Sequence, residues 1–175
     1  CNLSHMTVWS KIIQEPGRYF LVLEDDVRFK KDWLHTLNVP MKHVPFDADI
    51  LYLGGVLPPN KTVLPECTEY GEYWCKIKPN TFFSPTPLPV FHFCAYSYIL
   101  TKQGATKLLA FLTNSELKSY TISDQLLGSH IVGLNKYFIN PLVSYCFQEN
   151  DPVYLNSQFN DLHRKDTFDS DIWNN

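Results

Sequence analysis

The sequence predicts an α/β fold. Apolar residues at helical spacing alternate along the chain with short apolar runs of strand length. One of those runs turns abruptly acidic at its end. The 175 residues are about one domain's worth, at roughly 150 residues per domain.

Leu3, Met6, Trp9, Ile12 and Ile13 fall at helical spacing between Leu3 and Gln14, which predicts an amphipathic helix ended by Pro16-Gly17. Tyr19 to Val27 (YFLVLEDDV) is apolar on both faces before the acidic turn, as a buried parallel strand would be. Asp32 to Leu37 is a short helix. Asp49 to Leu53 is a second buried strand, closed by Gly54-Gly55. Val56 to about Val90 holds seven of the 12 prolines and reads as a long loop or small insertion, with an irregular hairpin near Tyr73 to Ile77. Phe91 to Leu100 is a third strand with alternating aromatics. A helix starts over Thr101-Lys102-Gln103-Gly104 and runs through Ala105 to Leu112. Another spans Asp124 to Val132, with Ser123 as its N-cap. Lys136 to Val143 contains a last short strand, and the tail after Glu149 is polar and irregular. Helices alternate with strands, and no repeat or low-complexity linker divides residues 1–175, so the expectation is one α/β domain.

Composition narrows the class. Hydrophobic residues make up 45% and charged residues 19%, and 4 Trp, 10 Tyr and 12 Phe give a heavy aromatic load. A domain of this size hides about 70% of the surface its unfolded chain exposes, so a sizeable core is expected. Fifteen basic against 18 acidic residues leave a net charge of -3 with no long run of either sign, unlike a nucleic-acid binder with its basic stripe. No apolar stretch approaches the ~18 residues of a membrane span. Cys1, Cys67, Cys75, Cys94 and Cys146 are an odd set without paired CxxC spacing, poor for a zinc site or a full disulfide framework. Buried thiols and a Cys67–Cys75 bridge both stay open. Asn2-Leu3-Ser4 and Asn60-Lys61-Thr62 match the glycosylation pattern, which matters only in a secretory lumen. With no signal-peptide pattern, and Trp173-Asn174-Asn175 no retention address, cytoplasm and secretory lumen both stay open.

Glu24-Asp25-Asp26 is the feature a stability argument does not explain. Three adjacent carboxylates repel one another and cost desolvation. Alternation on a strand would put Glu24 and Asp26 on one face and Asp25 on the other. Ligand crevices of open α/β sheets lie beyond the carboxyl ends of the strands. Carboxylate oxygens there suit Mg²⁺ or Mn²⁺, which would neutralise a diphosphate leaving group. The plainer reading is a solvated acidic turn.

Cys1-x-x-Ser4-His5-x-x-x-Trp9, followed by Val22-Leu23-Glu24-Asp25-Asp26-Val27-x-Phe29, resembles the family 25 glycosyltransferases, which include lipooligosaccharide and collagen hydroxylysine galactosyltransferases. The resemblance continues in Asp49-Ile50-Leu51-Tyr52-Leu53-Gly54, in Ala95-Tyr96-Ser97-Tyr98-Ile99-Leu100-Thr101-x-x-Gly104-Ala105-x-Lys107-Leu108, and in Ser170-Asp171-Ile172-Trp173. It implies a GT-A type fold, a Rossmann-like mixed sheet flanked by helices. It also implies metal-dependent, inverting transfer of a hexose, galactose or glucose, from a UDP-sugar to a hydroxyl on a glycan or hydroxylysine. The implied partners are the nucleotide-sugar donor and a glycan or collagen-like acceptor, with Mn²⁺ or Mg²⁺ as cofactor.

By the same resemblance Asp26 ligates the metal, Glu24 hydrogen-bonds the donor ribose, and Asp25 supports the site through water or a neighbouring group. Ser4 and His5 lie near the donor pocket, although a satisfied helix histidine is the plain alternative for His5. Inverting transfer needs a base for the acceptor hydroxyl. Asp124 matches the family's acidic position after the Gly104-Ala105 block. The helix dipole alone would favour a carboxylate there and lower its basicity, so partial desolvation would have to compensate. His92, His130 and His163 show no ligand spacing and read as structural or solvated. Tyr52, Tyr96 and Tyr98 read as core aromatics, and the Trp74 loop could offer a ring to a sugar.

Two departures qualify the resemblance. The family has a strand and helix before the first block that help bind the nucleotide, whereas this sequence starts at Cys1, inside the block; a fragment and a truncated relative are both open. Collagen-modifying members carry a histidine before the last block, where Tyr145-Cys146-Phe147-Gln148 stands here, so a third metal ligand is not identified, His163 being a distant candidate. Two rival classes are a non-catalytic carbohydrate-binding or scaffolding relative and a metal-dependent phosphotransfer enzyme using the same acidic strand end.

Overall fold

A computed structural model describes residues 2–55, 67–77, 95–114, 127 and 132–146. The first helix, α1 (Asn2–Gln14), turns His5, Trp9 and Ile12 inward as one stripe. Leu3 and Ile13, expected on that face, are 78% and 39% exposed. At roughly 100° per residue Leu3 points away from Trp9 and Ile13 sits at the rim, while His5 falls beside Trp9.

Among the described residues, six strands form one mixed sheet in the order β1-β6-β3-β7-β5-β4. They are β1 (Tyr19–Leu23), β3 (Ile50–Tyr52), β4 (Cys67–Tyr70), β5 (Trp74–Ile77), β6 (Ser97–Thr101) and β7 (Lys136–Ile139). Among these, β3 and β7 pair in parallel and the other neighbours are antiparallel. The strand expected to be buried and parallel is therefore an end strand: β1 pairs antiparallel with β6, and Leu21 and Leu23 are 44% and 42% exposed. Apolar residues on both faces do not specify which neighbours a strand will find. Burial on both faces belongs instead to β3, β6 and β7, and all five residues of β6 are buried between β1 and β3. β6 starts at Ser97 rather than Phe91, because Ala95 and Tyr96 form a turn and residues 91–94 lie outside the described set.

Alternation along the strands splits the core in two. Val22, Ile50, Tyr52, Cys75, Ile77, Tyr98, Leu100 and Phe138 pack with Trp9 and Ile12 of α1 and with Ala105, Leu108 and Leu112 of α3 (Lys102–Asn114). Leu51, Leu53, Trp74, Ile99, Tyr137 and Ile139 pack on the other face with Leu37, Ala48 and Val143. Burying one such large apolar side chain contributes about 1.5–3 kcal/mol. The start of α3 is capped by Thr101, whose Oγ1 accepts the Gly104 amide at 3.1 Å. Gly104 is required there by close approach: a Cβ would stand 2.5 Å from the Asp49 carbonyl oxygen.

The expected hairpin near Tyr73 is β4–β5, which extends the sheet beyond β7. Its ladder sets Cys67 against Ile77 and Cys75 against Tyr70, so the two cysteines are not cross-strand partners. The rest of the 56–90 stretch lies outside the described residues. The short helix α2 (Trp33–Asn38) follows Asp32, which adopts a left-handed φ of 59°. A one-turn 3-10 helix covers Pro40–His43. Two short strands not anticipated from the sequence, β2 (Val27–Phe29) and β8 (Ser144–Cys146), form a separate antiparallel ribbon. Of the expected Asp124–Val132 helix, only Leu127, helical and buried, and Val132 are described. The tail after Glu149 lies outside.

Candidate active site

The acidic triplet lies where the chain passes from the sheet to the ribbon. β1 ends at Leu23, and the Glu24 amide donates to the Tyr96 carbonyl at 2.9 Å, carrying the β1–β6 ladder one residue further. The Val27 amide then closes a turn onto the Glu24 carbonyl at 3.4 Å, and β2 begins. Asp25 is exposed while Glu24 and Asp26 are half-buried. A turn, not strand alternation, makes this division.

Glu24 is held from α1. Its Oε1 lies 3.0 Å from His5 Nε2, and His5 Nδ1 lies 3.0 Å from the Tyr98 hydroxyl. The Trp9 indole N–H donates to the same hydroxyl at 2.9 Å. Trp9 and Tyr98 are fully buried and His5 is 5% exposed, so α1, β6 and the acidic turn are tied by a line of polar contacts inside the core.

Asp26 is in a different state. Its Oδ1 is buried and, among the described residues, has no hydrogen-bond partner. Burial first, then the negative charges of Glu24 and Asp25, push its carboxyl up from the ordinary range, against its own backbone hydrogen bond and Arg28. A buried carboxylate oxygen without a partner is costly, and a hard divalent cation is one group that would satisfy it. Asp26 thus fits a metal as a single protein ligand. Among the described residues, no three His, Cys, Asp or Glu side chains gather as a metal-holding group.

Further polar groups meet beside this turn. Gly54 bridges to Ser144 in parallel fashion, and a Cβ on Gly54 would collide with the Tyr96 hydroxyl and stand 2.5 Å from Ser144 Oγ. Ser97, opposite Leu23 in the ladder, and Ser144 are buried, and their hydroxyls have no partner among the described residues. Sequence reasoning missed Ser144 altogether; a single serine between Val143 and Tyr145 carries no local signal.

Of the other residues singled out in the sequence, only some are described. Ser4 is exposed on the outer face of α1, apart from the His5 stripe. Asp124, the expected base, lies outside the described residues, as do His92, His130, His163 and Gln148. Tyr52, Tyr96 and Tyr98 are core aromatics as expected. Trp74 is not on a loop: it is buried in β5 with its indole N–H donating to the Pro40 carbonyl at 2.9 Å, which removes it as a sugar platform. Asp49 and Lys107, from two different sequence blocks, form an ion pair at 2.5 Å.

A mixed sheet flanked by helices, with carboxylates in the turn beyond its end strand, defines an α/β protein of the Rossmann-like glycosyltransferase type. The family comparison agrees. The chain belongs to glycosyltransferase family 25, whose model, described as an LPS biosynthesis protein, matches residues 1–127. It is 27% identical over 174 residues to a procollagen lysyl hydroxylase and glycosyltransferase of Acanthamoeba polyphaga mimivirus, covering 92% of this chain and 17% of that protein. It is 25% identical over 162 residues to the lipooligosaccharide biosynthesis protein lex-1 of Haemophilus influenzae, covering 85% of this chain and 48% of that one. A Bos taurus protein named "probable inactive glycosyltransferase 25 family member 3" is 29% identical over 119 residues, 63% of this chain and 17% of its own length. The chain thus spans about half or less of these relatives.

Proposed function

We propose that this chain is a glycosyltransferase domain that moves a hexose, galactose or glucose, from a UDP-sugar to an acceptor hydroxyl with inversion. The observation that carries the reading is the buried, unpartnered Asp26 oxygen in the turn beyond β1. Asp26 would hold Mn²⁺ or Mg²⁺, which when bound supplies a Lewis acid for the diphosphate leaving group. Glu24, fixed by His5, accepts a hydrogen bond from the donor ribose. Asp25, exposed to water, supports the site through solvent. Asp124 takes the proton of the acceptor hydroxyl as its oxygen bonds to the anomeric carbon and the bond to the nucleotide diphosphate breaks. A hydroxylysine peptide or a bacterial-type glycan is the acceptor class, supported by the names of the mimivirus and Haemophilus relatives.

The test is transfer of labelled hexose from UDP-galactose and UDP-glucose to a hydroxylysine peptide and to lipooligosaccharide, with Mn²⁺. Transfer lost in Asp26→Ala and Asp124→Ala supports the reading. A binding-only reading is favoured by the bovine relative's name; UDP bound without turnover on either acceptor would put it first.

A further inference from the structure

We infer that His5 is a positioning residue, wired through its ring to Trp9 and Tyr98, that acts on the donor only through Glu24. The inference rests on the proposed role of Glu24 at the donor.

The direction of the wiring follows from counting hydrogens. An indole N–H only donates, so the Tyr98 oxygen is the acceptor at 2.9 Å from Trp9 Nε1. An ionised carboxylate only accepts, so His5 Nε2, 3.0 Å from Glu24 Oε1, carries a proton. In a singly protonated ring Nδ1 is then the acceptor, and the Tyr98 hydroxyl hydrogen is assigned to it across 3.0 Å. Trp9 donates to Tyr98, Tyr98 to His5 and His5 to Glu24, the final acceptor. The opposite tautomer would set a lone pair of Nε2 against the carboxylate. With Trp9 and Tyr98 fully buried and His5 5% exposed, water has little access to replace a missing member.

Both His5 nitrogens are thereby committed within the protein, and the ring has no polar atom left to meet a nucleotide sugar. What His5 does is fix the rotation of the Glu24 carboxyl. The Trp9–Tyr98 contact fixes the ring in turn, so the aim of Glu24 is set from the core. The chain of contacts crosses 19 residues from His5 to Glu24 and 93 from His5 to Tyr98.

Two measurements on the chain test this. In ¹⁵N spectra at pH 8, the His5 ring, assigned by its loss in His5→Gln, is expected as the Nε2–H tautomer with Nδ1 accepting, and Tyr98→Phe should shift its Nδ1 signal. A proton on Nδ1 instead overturns the wiring whether or not the chain binds UDP. In titrations of UDP with Mn²⁺, His5→Leu should weaken binding at least tenfold. His5→Gln, whose amide can still donate to Glu24, should stay within about threefold of the parent. Adding Glu24→Gln to His5→Leu should weaken binding less than twofold further. Tyr98→Phe, which keeps the core volume, should weaken it about threefold to tenfold. Unchanged UDP affinity in His5→Leu and Tyr98→Phe, with only a lower melting temperature, would reduce His5 to packing. Additive losses would mean that His5 touches the donor itself. A parent chain that binds no UDP overturns the donor reading and His5's part in it, while the tautomer separately reports on the wiring.

Discussion

Lys107 on α3 places its ammonium 2.5 Å from the Asp49 carboxylate, which is fully buried at the start of β3. The same oxygen accepts the Asn135 amide at 2.8 Å, so one carboxylate joins α3, β3 and the approach to β7. Two sequence blocks that looked like parts of a family signature therefore meet as a structural joint. Removing one partner of a buried pair typically costs about 3–5 kcal/mol. The Lys107 side chain is 31% exposed, so water can partly take its place. Lys107→Met should accordingly lower stability by about 2–3 kcal/mol in urea unfolding.

The same joint explains Gly104. Alanine is better than glycine in a helix by about 1 kcal/mol, but here its Cβ would lie 2.5 Å from the Asp49 carbonyl oxygen. That neighbour is backbone and cannot swing aside, and overpacking of this kind costs about 1–3 kcal/mol. Gly104→Ala is expected to gain nothing from its better helix propensity and to be destabilised by up to about 2 kcal/mol net, read from the urea midpoint.

Lys136 gives a pH signature. It is 4% exposed in β7, and burial lowers its ammonium from the usual 10.5 to about 8. Between those values the unfolded chain holds the proton that the folded chain has released, so this residue makes stability rise with pH from about 8 to about 10.5. Below that window its contribution is a constant penalty. Lys136→Met should flatten this part of the curve, measured as urea midpoints of both chains from pH 7 to 10.5.

Asp47 serves as a control at the other end of the central strands. It accepts from Lys76 at 2.8 Å and from the Tyr137 hydroxyl at 2.7 Å, and these partners hold its carboxyl below the ordinary range despite some desolvation. Asp47 and Lys76 are each 27% exposed, and such pairs contribute about 1 kcal/mol or less. Asp47→Asn should cost no more than that in thermal melts and leave UDP affinity unchanged.

The two long helices and the central strand were legible because their signals are local. Trp9 and Ile12 mark the face of α1, Thr101 and Gly104 mark the start of α3, and Ile50 to Tyr52 is a short, wholly apolar run. The three-residue strands β2 and β8 are too short to show a period, so the sequence offered the acidic triplet both as a strand end and as a turn, without the ribbon that decides for the turn. The place of β1 at the end of the sheet depends on its neighbours, which its own composition does not name. The acidic residues themselves stood out, because nothing structural requires three adjacent carboxylates. The wiring of Glu24 did not, since Trp9 and Tyr98 are 89 residues apart and each looks like an ordinary core aromatic.

The donor site on the acidic turn is tested most directly by titrating UDP into the chain with Mn²⁺ and then with EDTA, alongside Asp26→Ala. The account predicts binding that needs the metal and is abolished in Asp26→Ala. Binding indifferent to both EDTA and the substitution, or no binding with any divalent metal, would contradict it.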